Sequence, residues 1–390
     1  MNSGKTVFAQ IMEFISFNNF NKIIIKYRGN LRYKKFSCWD QLICLSFAQL
    51  TNRESLRDIE TCFECQKTKL YHIGIRGNIK RTNIAHAIEH RSWMIYEELA
   101  RMLILEALSL YSKDELIYKE LNNSLYAFDS TTIDLCLTLF PWAKFRKHKA
   151  AVKIHTLYDI RRSIPVFIHI TSGKIHDVNI LDYLPIEVSS IYIVDKGYLH
   201  FERLYSININ HAYFITRAKI NLASRRVYSH KVDKSKNIIY EQTIKLTGTK
   251  SSQLYPAHLR KIKAYDVEND RYLTFLTNNF ELSADVIADL YKHRWKIELF
   301  FKWIKQHLRI NKFYGTSINA VKTQIWIAIG IYVTIAIMKK KLKLPHSLYT
   351  ILQILSLTLF EKVPVNELFK ESNDENYFKE QNKQLSLFNF

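Results

Sequence analysis

Asp129 closes the apolar run Leu125-Tyr126-Ala127-Phe128, where a soluble protein ordinarily places another apolar residue. Asp195 does the same after Ser190-Ile191-Tyr192-Ile193-Val194. Two carboxylates at strand ends suit a shared cation. A third acid, Glu298, sits in the helical stretch Tyr291-Lys-His-Arg294-Trp-Lys-Ile-Glu298-Leu-Phe-Phe-Lys-Trp-Ile-Lys305. At roughly 100° per residue, Tyr291, Arg294, Glu298 and Lys305 share about a 60° arc of one helix face. One acid among tyrosine, arginine and lysine is an odd core stripe, because buried charge needs a partner or a metal. It suits a carboxylate that binds Mg²⁺ through oxygen, beside groups that hold phosphate oxygens. Two such ions serve an in-line displacement at phosphorus. Taken singly, each acid has a plainer reading: Asp129 and Asp195 as turn aspartates, Glu298 as a solvated helix acid.

The composition is compatible with this chemistry. Lysine plus arginine outnumber aspartate plus glutamate 57 to 36 in 390 residues, a formal charge of +21, which favours a polyanionic partner and nucleic acid first. Membrane-surface binding would gather the cations on one amphipathic helix, and here they spread along the chain. The N-terminus lacks the layout of a signal peptide, and five cysteines form no evident disulfide framework, which points to the reducing cytosol. Cys62 and Cys65 make a lone Cys-x-x-Cys and read as helix-borne core residues. The apolar run 325–338 is shorter than the ~20 residues of a membrane span, so it reads as a buried core helix.

Residues 1 to about 115 read as helices. Ser37 with Asp40 predicts a helix cap, and Asn52 a second helix start. After Arg76-Gly77-Asn78, the basic segment Lys80-Arg81-Thr82-Asn83 leads into a long helical pattern through Ile84, Ile88, Trp93 and Leu99. Short helices around a basic turn fit a DNA-binding arrangement with Lys80 and Arg81 as contacts; plain helical packing would leave them, and Arg91, merely solvated. From Ser124 the pattern turns extended, with runs at 125–129, 151–157 and 164–170 and a turn at Asp159-Ile160-Arg161-Arg162-Ser163. Asp177 is expected to cap a short helix before a fourth strand ending at Asp195. Residues 200–280 read as strand-rich, and between Arg217 and Lys263 twelve basic residues face two acids, a second phosphate-contacting surface. The rest is helical until a polar tail.

Tyr291, Arg294, Glu298 and Lys305 match the spacing Y-x2-R-x3-E-x6-K at every position, and Phe128-Asp129-Ser130-Thr131 and Val194-Asp195-Lys196-Gly197-Tyr198 stand in order before it. In these three motifs the chain resembles the DDE transposases of bacterial insertion sequences, in the insertion-sequence-four branch marked by a Y-R-E-K signature. The resemblance covers about residues 120 to 360. Phe36-Ser-Cys-Trp-Asp40 and Ser55-Leu-Arg-Asp58 resemble segments of the helical domain that often precedes such a core.

The resemblance implies an α/β fold: a ribonuclease-H-like catalytic core with a β-rich insertion, plus an all-α N-terminal DNA-binding domain. The expected division is 1–115 helical, 116–200 first core part, 201–282 insertion, 283–365 helical core part and 366–390 polar tail. It also implies Asp129, Asp195 and Glu298 as catalytic metal ligands for two Mg²⁺ ions, with Mn²⁺ able to substitute. Tyr291, Arg294 and Lys305 would contact DNA. The partners would be double-stranded DNA, as terminal inverted repeats and target, and a second copy of the chain; the place would be the bacterial cytoplasm at the nucleoid. Relatives can stack an insertion tryptophan on a flipped base during hairpin formation, but this chain has no tryptophan between Trp142 and Trp295, leaving Tyr228, Tyr240 or Tyr255. The alternatives are a domesticated relative that binds DNA without cutting, or a ribonuclease-H-like nuclease.

Overall fold

The computed structural model describes residues 4–111, 121, 123–307 and 313–369. The expected boundary at 115–116, Leu308 at the end of the helical pattern that starts at Ser283, and most of the polar tail lie outside the described residues.

Six helices come first: α1 Val7–Met12, α2 Phe17–Lys26, α3 Cys38–Leu50, α4 Leu56–Cys65, α5 Arg81–His90 and α6 Met94–Tyr111. The cap read at Ser37 is present: its Oγ accepts from Asp40 N at 3.1 Å while Asp40 Oδ2 accepts from Ser37 N at 2.6 Å. The next helix starts later than expected. Ser55 caps it with its own box to Asp58, whereas Asn52 sits in a left-handed turn at φ 56°. The long pattern from Ile84 to Leu99 is two helices, because Arg91 turns extended at the end of α5. Asn319 takes up the polar groups this break exposes. Its Nδ2 donates to Ile88 O and Arg91 O at 2.7 and 2.8 Å, and its Oδ1 accepts from Trp93 N at 3.2 Å. Of the two cysteines read as core, Cys62 is half-buried and Cys65, at the end of α4, is exposed.

The strands are β1 Leu125–Leu135, β2 Lys144–Arg146, β3 Lys149–Asp159, β4 Ile164–Ser172, β5 Ile191–Val194, β6 Tyr213–Arg217, β7 Ser224–His230, β8 Ile238–Leu246, β9 Leu259–Asp266 and β10 Arg271–Thr277. They form one sheet in the order β2-β3-β1-β5-β6-β10-β9-β8-β7, with β4 on β3. β1, β5 and β6 run parallel, while β3 is antiparallel to β1 and β4 antiparallel to β3. Such a sheet, covered by helices, is a ribonuclease-H-like core. The antiparallel meander β7 to β10 extends it past β6. α7 Phe201–Ile209 crosses from β5 to β6, and α8 Thr249–Leu254 lies within the meander.

Alternation along β1 and β5 separates two apolar layers. Leu125, Ala127, Ile191 and Ile193 pack with α9 Ala284–Lys292, α10 Trp295–His307 and α11 Ile318–Lys341. Tyr126, Phe128, Tyr192 and Val194 pack with α7. α11 is long and apolar enough to cross a membrane, but 94% of its most apolar window is buried. It is the central post of the helical layer, in contact with α6, α3, α5, α1, α10 and α12 Leu348–Thr358. The N-terminal helices and the late helices therefore share one core.

Candidate active site

The acids are placed by the parallel ladder. β1 and β5 pair in register from Leu125↔Ile191 to Phe128↔Val194, so Asp129 and Asp195 are the next residues on neighbouring strands. β1 itself runs on to Leu135, which makes Asp129 the end of the parallel ladder and not of its strand. By alternation both acids continue the face that packs against α9 and α10. Asp195 leaves the sheet by capping the turn Lys196–Tyr198 and accepts from Gly197 N at 3.4 Å.

Glu298 comes from the first turn of α10. The stretch read as one continuous helix is broken: α9 ends at Lys292, and Arg294 N bonds back to Tyr291 O and Ile297 N to Arg294 O at three-residue spacing. Tyr291 thus belongs to α9, Arg294 to the break and Glu298 to α10, yet the first three still meet. Arg294 Nη1 donates to Asp129 Oδ2 at 3.1 Å and Nη2 to Glu298 Oε1 at 2.5 Å. Tyr291 Oη donates to Asp195 Oδ1 at 3.3 Å. Lys305 does not join them. It lies two turns along α10, half-buried, and its charge is coupled to Asp134 of β1, with burial pulling its pKa down.

Three more residues complete the group, and the sequence reading missed them. Arg217, at the end of β6, places Nη2 3.7 Å from Asp195 Oδ1. Tyr198 Oη lies 3.4 Å from Asp129 Oδ1, and Ser130 N donates to the same oxygen at 2.8 Å. Tyr198 and Ser130 stood inside the two aspartate motifs, so proximity in sequence was a usable signal; Arg217 had none. Asp177, expected as a helix cap, is instead the first residue of the 3₁₀ turn Asp177–Tyr183, and its carboxylate turns back to Ser130 and Lys153.

The electrostatics favour a cation. Burial raises the pKa of Asp129, and the charges of Asp195 and Glu298 raise it further, against Ser130 N–H and Arg294. Burial pushes Tyr291 up to about 12, so it stays a hydroxyl donor. Among the described residues no three His, Cys, Asp or Glu side chains converge on one point as a ready ion cage. Asp129 and Glu298 flank the Arg294 guanidinium instead, and Asp195 faces Tyr291 and Arg217. The donor set still fits Mg²⁺: it is all oxygen and mutually repelling, and it lies beside a cleft of about 790 Å³ lined by Arg217, Arg271, Tyr291, Arg294 and Trp295, with Glu298 the acid of the three on its wall. Trp295 is 49% exposed in that cleft. Among the rings considered for base stacking, Tyr228 is 60% exposed on the edge strand β7, whereas Tyr255 is fully buried and unable to take that role.

Lys80 and Arg81 stand at the start of α5, among the N-terminal helices, where both face Glu60, at 3.5 and 4.0 Å. The loop between α2 and α3 carries Arg28, Arg32, Lys34 and Lys35, all exposed, beside exposed Arg76.

The Transposase DDE domain family matches residues 121–334, and a Domain of unknown function (DUF4372) matches residues 3–76. A protein of Sinorhizobium fredii named as transposase y4zB is 33% identical over 61% of this chain and 67% of its own length. One of Geobacillus stearothermophilus named as a transposase for insertion sequence element IS5377 is 32% identical over 54% of this chain and 55% of its own. One of Synechocystis named as a transposase for insertion sequence element IS4SA is 23% identical over 82% of this chain and 88% of its own.

Proposed function

This chain belongs to the DDE transposases of the insertion-sequence-four type, and we propose that it moves its element by cut-and-paste, nicking the terminal inverted repeats, forming hairpin ends and joining 3′-hydroxyls to a target. The observation that carries this is that Arg294 bonds Asp129 and Glu298 while Tyr291, its ring 5.9 Å from that guanidinium, bonds Asp195, beside a cleft lined by Tyr291, Arg294 and Glu298. Asp129, Asp195 and Glu298 would hold two Mg²⁺ ions, with Mn²⁺ as substitute. When bound, such ions supply charge to the attacking and leaving oxygens of an in-line displacement.

The chain's own residues do the rest. Tyr291 and Arg217 fix the Asp195 carboxylate, and Ser130 and Tyr198 fix that of Asp129. Arg294, facing the cleft between two acids, grips a phosphate near the cut and keeps the freed strand in line. Lys305, away from this group, acts on DNA further along α10. Trp295 supplies the exposed ring on which an unpaired base stacks during hairpin formation. End recognition belongs to the helices before residue 115. Their basic loop at Arg28, Arg32, Lys34 and Lys35, with Arg76, carries more of it than Lys80 and Arg81, whose charges Glu60 already offsets. Because β6 pairs parallel with β5, we place the start of the insertion after Arg217. The active form is a homodimer on two ends, in the cytoplasm at the nucleoid.

Asp129→Asn, Asp195→Asn and Glu298→Gln remove charge but keep shape. Each is expected to cut Mg²⁺-dependent nicking of a cognate end by about 10³-fold or more, with end binding by gel shift nearly intact. Near-wild-type nicking by any one of them removes that residue from the triad. A wild-type chain that binds ends and never cuts them is a DNA-binding relative instead.

A further inference from the structure

The side of β1 that faces away from the acids carries a polar patch to which the proposed reaction gives no role beyond the Ser130 N–H. Alternation puts Ser130 and Thr132 on the face opposite Asp129. The register sets Ser130 against His155 and Thr132 against Lys153 on β3, and those against His169 and Thr171 on β4. His155 is 0% exposed and Lys153 8%, an unusual pair for the middle of a sheet. The turn Asp177–Tyr183 covers them. Asp177 Oδ1 accepts from Ser130 Oγ at 2.8 Å, and lies 3.1 Å from Lys153 Nζ and 3.6 Å from His155 Nδ1. Lys153 Nζ also donates to Ile175 O at 2.9 Å, and His155 Nε2 is 2.9 Å from Thr171 Oγ1. Burial keeps the His155 pKa at about 4, so at neutral pH the ion pair is Lys153 with Asp177.

We propose that Asp177, held by Lys153, is a positioning residue that sets the Asp129 carboxylate through Ser130. The link is short. The Ser130 hydroxyl is spent on Asp177, and its backbone N–H donates to Asp129 Oδ1 at 2.8 Å, across the strand from the patch. A fixed Ser130 therefore orients the Asp129 oxygens before a cation arrives, as outer partners of ligating carboxylates do. Asp177 is not itself placed to ligate: its Oδ1 already takes two donors, on the face opposite Asp195 and Glu298. The inference rests on the reading of Asp129 as a metal-holding acid.

The test uses the full chain and Mn²⁺, read by calorimetry without DNA and by the Mn²⁺ concentration for half-maximal nicking, beside a melting curve. Ser130→Ala is expected to weaken Mn²⁺ by about 10-fold or more, and Ser130→Thr, which keeps the hydroxyl, by no more than about 3-fold. The double variant Asp177→Asn with Lys153→Met leaves neither charge unpaired in the sheet and should weaken Mn²⁺ as Ser130→Ala does. Unchanged Mn²⁺ dependence in Ser130→Ala, with or without a lower melting temperature, overturns the proposal, as does equal loss in Ser130→Ala and Ser130→Thr. Unchanged Mn²⁺ dependence in Asp129→Asn would instead overturn the metal-site reading beneath it.

Discussion

Two arginines far apart in this fold show how differently a cation can be used. Arg91, at the junction of α5 and α6, is 2% exposed and touches no carboxylate in its hydrogen-bond set: it donates to Gly29 O at 2.9 Å, Phe36 O at 2.8 Å, Ser37 O at 3.1 Å and Gln41 Oε1 at 2.7 Å. Its guanidinium also lies 4.1 Å from the Tyr33 ring. Arg294 is held by charge instead, between Asp129 and Glu298, and its Nε is buried with no hydrogen-bond partner among the described residues. Fixed neutral acceptors make an arginine a brace; in the proposed reaction Arg294, held by two acids at the edge of a cleft, exchanges one anionic partner for a phosphate. The brace has a use of its own, because the backbone it pins, from Gly29 to Ser37, displays Arg32, Lys34 and Lys35. Gly29 gives that backbone its close approach: a Cβ would stand 2.6 Å from both Cys38 Sγ and Ile95 Cδ1, so one of them would have to shift.

The contrast is broken most directly through stability. Arg91→Met strands three acceptors in the interior, Gly29 O, Phe36 O and Gln41 Oε1, and is expected to cost about 3 kcal/mol or more, while Arg294→Ala should cost less than half of that. Urea midpoints of the two variants decide it, and equal losses would make Arg294 a brace as well.

A buried base without a full set of partners sharpens the same point. His155 Nδ1 has no hydrogen bond, and burial holds its pKa at about 4. In the unfolded chain it titrates near 6.5, so between those values the unfolded state binds the extra proton. The contribution to stability is therefore full above pH 6.5 and is lost as pH falls toward 4, by up to about 2 kcal/mol at pH 5. Denaturant midpoints at pH 7.5 and pH 5 should separate more in the wild type than in His155→Gln; parallel shifts would show that His155 is not the cause.

A smaller effect follows for the braced loop. Lys34→Ala, Lys35→Ala and Arg76→Ala combined should lower the slope of log affinity against log salt for end binding by about 3, and Lys80→Ala with Arg81→Ala by less than about 1. Reversed slopes would return end recognition to the start of α5.

What could be read from the residues follows from how local each feature is. Asp129 and Asp195 stood out because a carboxylate ending an apolar strand is conspicuous in one dimension, and the Y-R-E-K spacing marked Glu298 without any knowledge of the fold. The break at Arg294 left no trace, since three-residue hydrogen bonds over one turn barely disturb a helical pattern and neither glycine nor proline marks the place. The Asp177 contact joins residues 47 apart and exists only once β1, β3 and the turn are assembled. The same holds for Arg91, which the plain-packing alternative left merely solvated, because its partners at Gly29, Phe36, Ser37 and Gln41 lie 50 or more residues away. Lys153 and His155 at alternate positions in the middle of β3 were the local hint of the patch beneath Asp129.

The claim that Arg294 works on DNA while Arg91 works on the fold is tested by following nicking, hairpin formation and strand transfer on one labelled end, with Arg294→Ala beside the wild type and a melting curve for each. The first nick should slow by no more than about 3-fold and the later steps by about 10-fold or more, because the freed strand depends on the phosphate grip for its position. Equal slowing of every step, together with a lowered melting temperature, would contradict it.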